Sequence, residues 1–405
     1  MVVEEHAVFC DLLGEYSVGT LVLPYMPLWQ RLVIGFEEGV PPDGKFIRFF
    51  VSPARYLARV PGANIERILY VLPSEESGNE GEGSVPMPES GHPSGNEYPK
   101  WEPEIDYGTP EEPDPASLAP QNSRVVVEYL RPRGAIRIGG FWEFVPYNDA
   151  AYSKKATEGF RDIIRGQQQR LLGRATEREL ALKEIKNVYD RHFGGSSRWR
   201  NIISLFLYSG PIYPSWGGVT LGFAAPTRKN RTSAGKRYRL YAEQTTKGSV
   251  LYTGDGYLDT RQRLGSLEAH LGSMRRDHIG AFQVMHHGAE GNWHEGVAPA
   301  FSPAFSVFSS DPRNKKFRHP HIPVREEFQN FHPYQVDQQF GVTAVGELVQ
   351  RPVAAISATQ GARMEPRFVP PSPRVVTPTR SRIAAKPRKM HPTRPTVPAG
   401  SSDDE

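Results

Sequence analysis

Phe282-Gln283-Val284-Met285-His286-His287-Gly288 carries a short apolar run straight into paired histidines and a glycine. A run of that length, bounded by turn residues, reads as a buried strand with the histidines at its carboxyl end. The same pattern stands on either side of it. Gly248-Ser249-Val250-Leu251-Tyr252-Thr253-Gly254-Asp255 is strand, then turn, then carboxylate. Ala304-Phe305-Ser306-Val307-Phe308-Ser309-Ser310 is a further strand, followed by Arg318-His319-Pro320. About thirty residues separate Asp255 from His286 and His286 from His319, the length of one strand–helix unit. A helix over Leu264 to Met274 fills the first interval, and Asp277-His278 is the helix–strand connection. If successive strands are neighbours, one rim of an open α/β sheet receives all three positions, and such rims are where these sheets bind ligands.

The upstream sequence supports the same class. Gly19 to Pro24 and Ile68 to Pro73 are apolar runs without alternation, as expected of strands covered on both faces. Phe9 to Tyr16 reads as a short helix, and the helix between those two strands includes Ser52 to Val60. Arg124 to Leu130 and Phe141 to Asn148 are strands, with Trp142 and Tyr147 in the core or walling a cleft. Ala156 to Phe193 is helical, with a second stretch, Leu180 to Tyr189, following Gly173. Asn201 to Tyr208 is another strand. After it comes a loop-rich stretch containing Arg228, Lys229, Arg231, Lys236, Arg237 and Arg239.

Two segments have the composition of disordered chain. Residues 74–122 hold about a dozen acids, one lysine and no arginine, with few aliphatics, so ordering them recovers little buried surface. His92 falls there and is not expected to function. Residues 356–405 form a Pro/Arg-rich tail, with nine Lys/Arg against one Glu between Gly361 and Pro398. The expected organisation is therefore 1–73 and 123–355 as two parts of one domain, interrupted by a disordered acidic insertion and followed by a disordered basic tail. The net charge of +4 and pI near 9 owe much to that tail. Cys10 is the only cysteine, which excludes a disulfide framework and thiolate metal clusters. No apolar run reaches membrane-spanning length and the N-terminus is acidic, so no membrane partner is expected and the cytoplasm is the default.

Carboxylate plus imidazole is a ligand set for Zn²⁺, Mn²⁺ or Fe. A bridging carboxylate such as Asp255 can hold two ions that together activate water and steady a leaving oxygen. Taken singly the signals are bland: Thr-Gly-Asp is common turn chemistry, and paired histidines often sit in polar cores. Their order and spacing together are more specific.

Four stretches, Asn201…Ser204-Leu205, Leu251-Tyr252-Thr253-Gly254-Asp255, Val284-Met285-His286-His287-Gly288-Ala289 and Asn314…His319-Pro320, resemble successive motifs of metallo-β-lactamase-fold hydrolases. The nearest type is the soluble hydrolase domain of bacterial competence-related DNA-uptake proteins. The resemblance covers roughly residues 120–350, and weakly 10–73. It implies an αββα sandwich, incomplete at the N-terminus, with Asp255, His286, His287 and His319 at a divalent-metal site. Zn or Mn, up to two ions, would be the cofactor, with Asp255 and His287 foremost in catalysis. A phosphodiester or nucleic acid would be the substrate, and Lys315, Lys316 and Arg318 would suit its phosphate. The family places Ser after His-His-Gly, where this chain has Ala289. Its leading His-X-His/Asp-X-Asp-His set belongs just before the helix at Phe9 to Tyr16, where only Glu4-Glu5-His6 stands. His6 is a worn remnant at best. Two expectations follow: the chain starts late, or it has lost catalytic ligands; as written it is expected to show little or no hydrolase activity.

The rival reading is a non-catalytic binding or interaction protein that keeps the fold without the first ligand set. A third is nucleic-acid binding through the basic tail, which would be weak and salt-sensitive. His294, His321 and His332 are assigned to the surface, with His294 the best placed to line a pocket.

Overall fold

The apolar runs in the first part of the chain become parallel strands joined through helices. In order these elements are α1 (Val3–Glu15), β1 (Ser17–Pro24), α2 (Leu28–Glu37), α3 (Ile47–Val51), α4 (Pro53–Leu57) and β2 (Asn64–Val71). β1 pairs in parallel with β2. The computed structural model describes residues 3–74, 103–110, 114–149, 156–193, 205–212, 219–226, 238–245, 247–311, 317–337 and 343–345. Ile68, Leu69 and Tyr70 are fully buried, as a doubly covered strand requires.

All ten residues of α2 are buried, including Gln30, Arg31 and Glu37. The guanidinium of Arg31 pairs with Asp114 at 2.8 Å and donates to the carbonyls of Phe50 and Val51 at 2.8 and 3.1 Å. It also donates to Ser117 Oγ at 3.1 Å. Breaking such a pair leaves a buried charge uncompensated, so the pairing fixes residues 114–117 onto α2.

That pairing corrects the expected extent of the insertion. Within 74–122, residues 103–110 and 114–122 are part of the fold. β3 (Glu104–Ile105) joins a sheet. Asp106 is held by Arg137 at 3.0 Å and caps the Ala135 N–H at 2.8 Å. Two of the acids of this stretch, Asp106 and Asp114, find buried or half-buried arginines, which composition does not reveal. Residues 75–102, with His92, lie outside the described residues, as does the tail.

The remaining elements are β4 (Val126–Leu130), β5 (Ile136–Ile138), β6 (Trp142–Tyr147), α5 (Glu158–Leu172), α6 (Ala175–Phe193), β7 (Phe206–Pro211), β8 (Val219–Pro226), β9 (Tyr238–Thr245), β10 (Ser249–Tyr252), α7 (Arg261–Asp277), β11 (Ile279–Gln283), α8 (Val297–Phe301), β12 (Phe305–Ser309), α9 (Ile322–Phe328), β13 (Pro333–Val336) and β14 (Thr343–Val345). β7 runs to Pro211, later than the strand expected at Asn201 to Tyr208. The stretch read as loop-rich contains the β8–β9 hairpin, and Arg239 lies in β9.

Three sheets result. One is the parallel β1-β2-β4 sheet. The second has the order β13-β12-β11-β10-β7-β6-β5-β3, with β10 to β13 parallel and an antiparallel meander beyond β10. The third is the antiparallel β14-β8-β9 sheet. The molecule is thus a mixed α/β protein, and all these elements lie in one unit, Met1–Arg351. α7 and α8 cover one face of the large sheet, where Leu267, Leu271, Phe282, Phe301 and Phe308 form a core. Arg275 at the end of α7 is locked to Glu143 of β6 by two bonds of 2.7 and 3.0 Å, both side chains being buried. No helix among the described residues is long and apolar enough to cross a membrane.

Candidate functional site

Three neighbouring parallel strands deliver the polar residues. Asp255 follows β10, His286 and His287 follow β11, and His319 lies between β12 and α9. Because β10, β11 and β12 are adjacent, their carboxyl ends form one rim. The turns there are tied together by the backbone: the His286 N–H donates to the Gly254 carbonyl at 2.9 Å, and the His321 N–H to the Gly288 carbonyl at 3.0 Å. Thr253, fully buried, donates its hydroxyl to the Gln283 carbonyl at 2.6 Å. Asn292, also buried, donates its amide to the carbonyls of Asp255 and Gly256 at 3.1 and 3.2 Å.

His286 and His287 both have positive φ, 42° and 60°. Consecutive non-glycine residues in the left-handed region are uncommon, each costs on the order of 1–3 kcal/mol, and such strain collects at functional sites. Gly288 follows with φ of 85°, and a Cβ there would stand 2.6 Å from Pro320 and 2.8 Å from Phe308. Its bare backbone lets the His319 loop lie against the His-His turn. Gly288→Ala is expected to cost about 1–3 kcal/mol by combining backbone strain with overpacking. Chemical denaturation checks this; an unchanged midpoint would mean the two loops are not wedged together.

The side chains converge. Ring centroids of His286, His287 and His319 stand 5.7, 5.9 and 6.2 Å apart, a nearly equilateral triangle. Asp255 Oδ1 is 3.9 Å from His287 Nε2, each residue being about half-exposed. His287 Nδ1 bonds the Ser309 carbonyl. That bond fixes the tautomer with hydrogen on Nδ1 and leaves Nε2 as an acceptor, the arrangement metal-bound histidines use. His319 stacks on Phe317, and its Nδ1 is buried without a hydrogen-bond partner. Burial, helped by His321, His286 and His287, pushes the His319 pKa down to about 4 against the pull of Asp255. Burial likewise lowers His286, and His287 adds to it, opposed by the Asp255 carboxylate. These two imidazoles are therefore neutral near pH 7 and present lone pairs.

No family model, curated protein or solved structure matches this chain.

Imidazoles sharing one ion through bonds of about 2.1 Å hold their ring centres roughly 5–6 Å apart, and the rings here stand at or slightly beyond the wide end of that range, at 5.7, 5.9 and 6.2 Å. The orphaned nitrogen of His319 and the locked ring of His287 fit a borderline cation such as Zn²⁺ better than a hard one such as Mn²⁺. The donor atoms are less well gathered: among the described residues, no three His, Cys, Asp or Glu side chains are grouped so as to hold an ion.

His321, expected at the surface, is about a third exposed, and its ring lies 4.8 Å from His319. Its Nδ1 accepts the Glu290 N–H at 3.0 Å. The alternation His319-Pro320-His321 was the available signal. Asn292, which buttresses the Asp255 turn, carried no sequence signal. His294 bonds the adjacent Glu295 carbonyl. His6 falls inside α1 and its side chain is outside the described residues, as are Lys315 and Lys316.

Proposed function

We propose that this chain is a metal-dependent hydrolase of the metallo-β-lactamase type, acting on a phosphodiester in the cytoplasm. The observation that carries the reading is the meeting of three imidazoles and one carboxylate at the ends of adjacent parallel strands. His286, His287 and His319 would hold a single Zn or Mn ion, with Asp255 supplying the negative charge. When bound, the ion polarises a phosphoryl oxygen and makes a water more acidic. The water oxygen bonds to phosphorus, one P–O ester bond breaks, and the alcohol leaves with one of the water's protons. Asp255, half-exposed beside His287, is placed to accept the other. The Ser309 carbonyl keeps His287 in the tautomer this requires.

The second reading, a non-catalytic protein of the same type, draws on the imperfect gathering of the donor atoms. Titration of the full chain with Zn²⁺ or Mn²⁺ separates the two. About one ion per chain is expected, with affinity lowered at least tenfold or so by His319→Ala, the scale of a lost metal-site interaction. Wild-type protein that takes up no ion, or binds it equally well without His319, would leave only the non-catalytic reading.

A further inference from the structure

The large sheet buries Val145, Tyr147, Phe206 and Tyr208 under its helices. Strand geometry sends the alternate residues to the opposite face, and these are also apolar. Between that face and the β1-β2-β4 sheet lies a cleft of about 1170 Å³. The two sheets meet through Leu69, Val71, Leu130 and Ile136. Within the cleft, Ile138, Phe144, Leu207 and Tyr252 line one wall, and Val22 and Val126 the other. The lining crosses β5, β6, β7 and β10 to Gln283 on β11, a path of roughly 19 Å at about 4.8 Å per strand. Cross-strand pairing makes part of that path continuous, since Pro146 sits opposite Leu207 and Leu207 opposite Tyr252.

The cleft ends at Gly254 and Gln283. Gly254 adjoins Asp255 and accepts the His286 N–H, so this end of the cleft adjoins the backbone of the candidate site, whose own side chains lie outside the lining. Charge argues against a polynucleotide as its occupant. Tracking phosphates needs a row of cations, whereas this lining holds Arg67, Arg124 and Glu66, and Arg67 is paired with Glu128 at 2.6 Å. We infer that the cleft holds the long acyl or alkyl chain of an amphiphilic phosphodiester whose ester group lies at Asp255 and the histidines. The inference rests on the hydrolase reading for its chemistry, but not for the binding of the chain.

The test uses the full chain and cis-parinaric acid, a naturally fluorescent long-chain fatty acid. Saturable binding is expected, weakened at least about tenfold by Val126→Asp, which puts a charge against the chain. Val126 is about half-exposed (51%) on an outer strand, so this variant should keep the wild-type circular dichroism. Leu207→Asp, on the opposite wall, should act in the same direction. Asp255→Ala should bind the probe as wild type does. With Mn²⁺ present, p-nitrophenyl hexadecyl phosphate should have a KM at least about tenfold below that of bis-p-nitrophenyl phosphate, and Val126→Asp should erase the difference. No saturable binding to the wild type, or binding indifferent to both substitutions, overturns the inference. Equal KM for the two esters also overturns it. Probe binding that follows these variants, without turnover of either ester, supports the cleft and removes the hydrolase reading instead.

Discussion

Asp255→Ala is expected to lower turnover of a phosphodiester by at least about a hundredfold, with Asp255→Asn nearly as damaging. Asp255 is the carboxylate that faces the three imidazoles, and it stands 3.9 Å from His287. Neutral imidazoles bind a dication without offsetting its charge, so removing the carboxylate weakens the ion and its bound water together. A displacement of about 1 Å at a reacting group already costs on the order of a hundredfold. The asparagine variant keeps the shape and the Asn292 bond to the backbone carbonyl, which isolates charge from structure. Wild-type turnover should itself be slow, because among the described residues no three donors are grouped to hold an ion, and the paired-ion mechanism needs two ions. The measurement is kcat/KM for bis-p-nitrophenyl phosphate with added Mn²⁺, alongside ion affinity by titration calorimetry. Turnover that survives in Asp255→Ala would place the chemistry elsewhere in the molecule.

The rim was legible because its logic is periodic. Asp255, His286 and His319 each stand after an apolar run, and one strand–helix unit separates them. Adjacency of β10, β11 and β12 follows naturally from helical crossovers between parallel strands. What the sequence hid depends on tertiary partners. Arg31 of α2 is buried only because its partners come from distant elements. Asp106 and Asp114 looked like part of an acidic disordered insertion until Arg137, Arg131 and Arg31 appeared beside them. Arginine 83 positions away in sequence, from Arg31 to Asp114, is invisible to any local window. The closeness of His321 to His319 likewise depends on how the loop turns before α9.

A second large effect is expected away from the rim, at His270. This histidine of α7 is 2% exposed, packs edge-on against Tyr147 and hydrogen-bonds through Nδ1 to Ser74 Oγ at 2.9 Å. Ser74 lies just beyond β2 and its N–H donates to the Asn148 carbonyl at 3.0 Å, so His270 sits at a joint between the large sheet and the β1-β2-β4 sheet. Burial chiefly, with Arg275 and Arg133 adding repulsion, drives its pKa down to about 3. The folded protein therefore keeps His270 neutral where the unfolded chain, titrating near 6.5, takes up a proton. Stability is full above pH 6.5 and declines as pH falls from there towards 3, because the unfolded state binds more protons across that window. Between pH 7.5 and pH 5.0 the loss from this residue alone should be about 2 kcal/mol, at about 1.4 kcal/mol per unit below 6.5. His286 and His319, both lowered, add in the same direction. The contribution is isolated by difference: urea unfolding of wild type and His270→Gln at both pH values. The variant should begin less stable at pH 7.5, yet lose about 2 kcal/mol less than wild type on acidification. Equal losses in the two proteins would mean that His270 is not held neutral by the fold, and that acid acts on the joint through other groups.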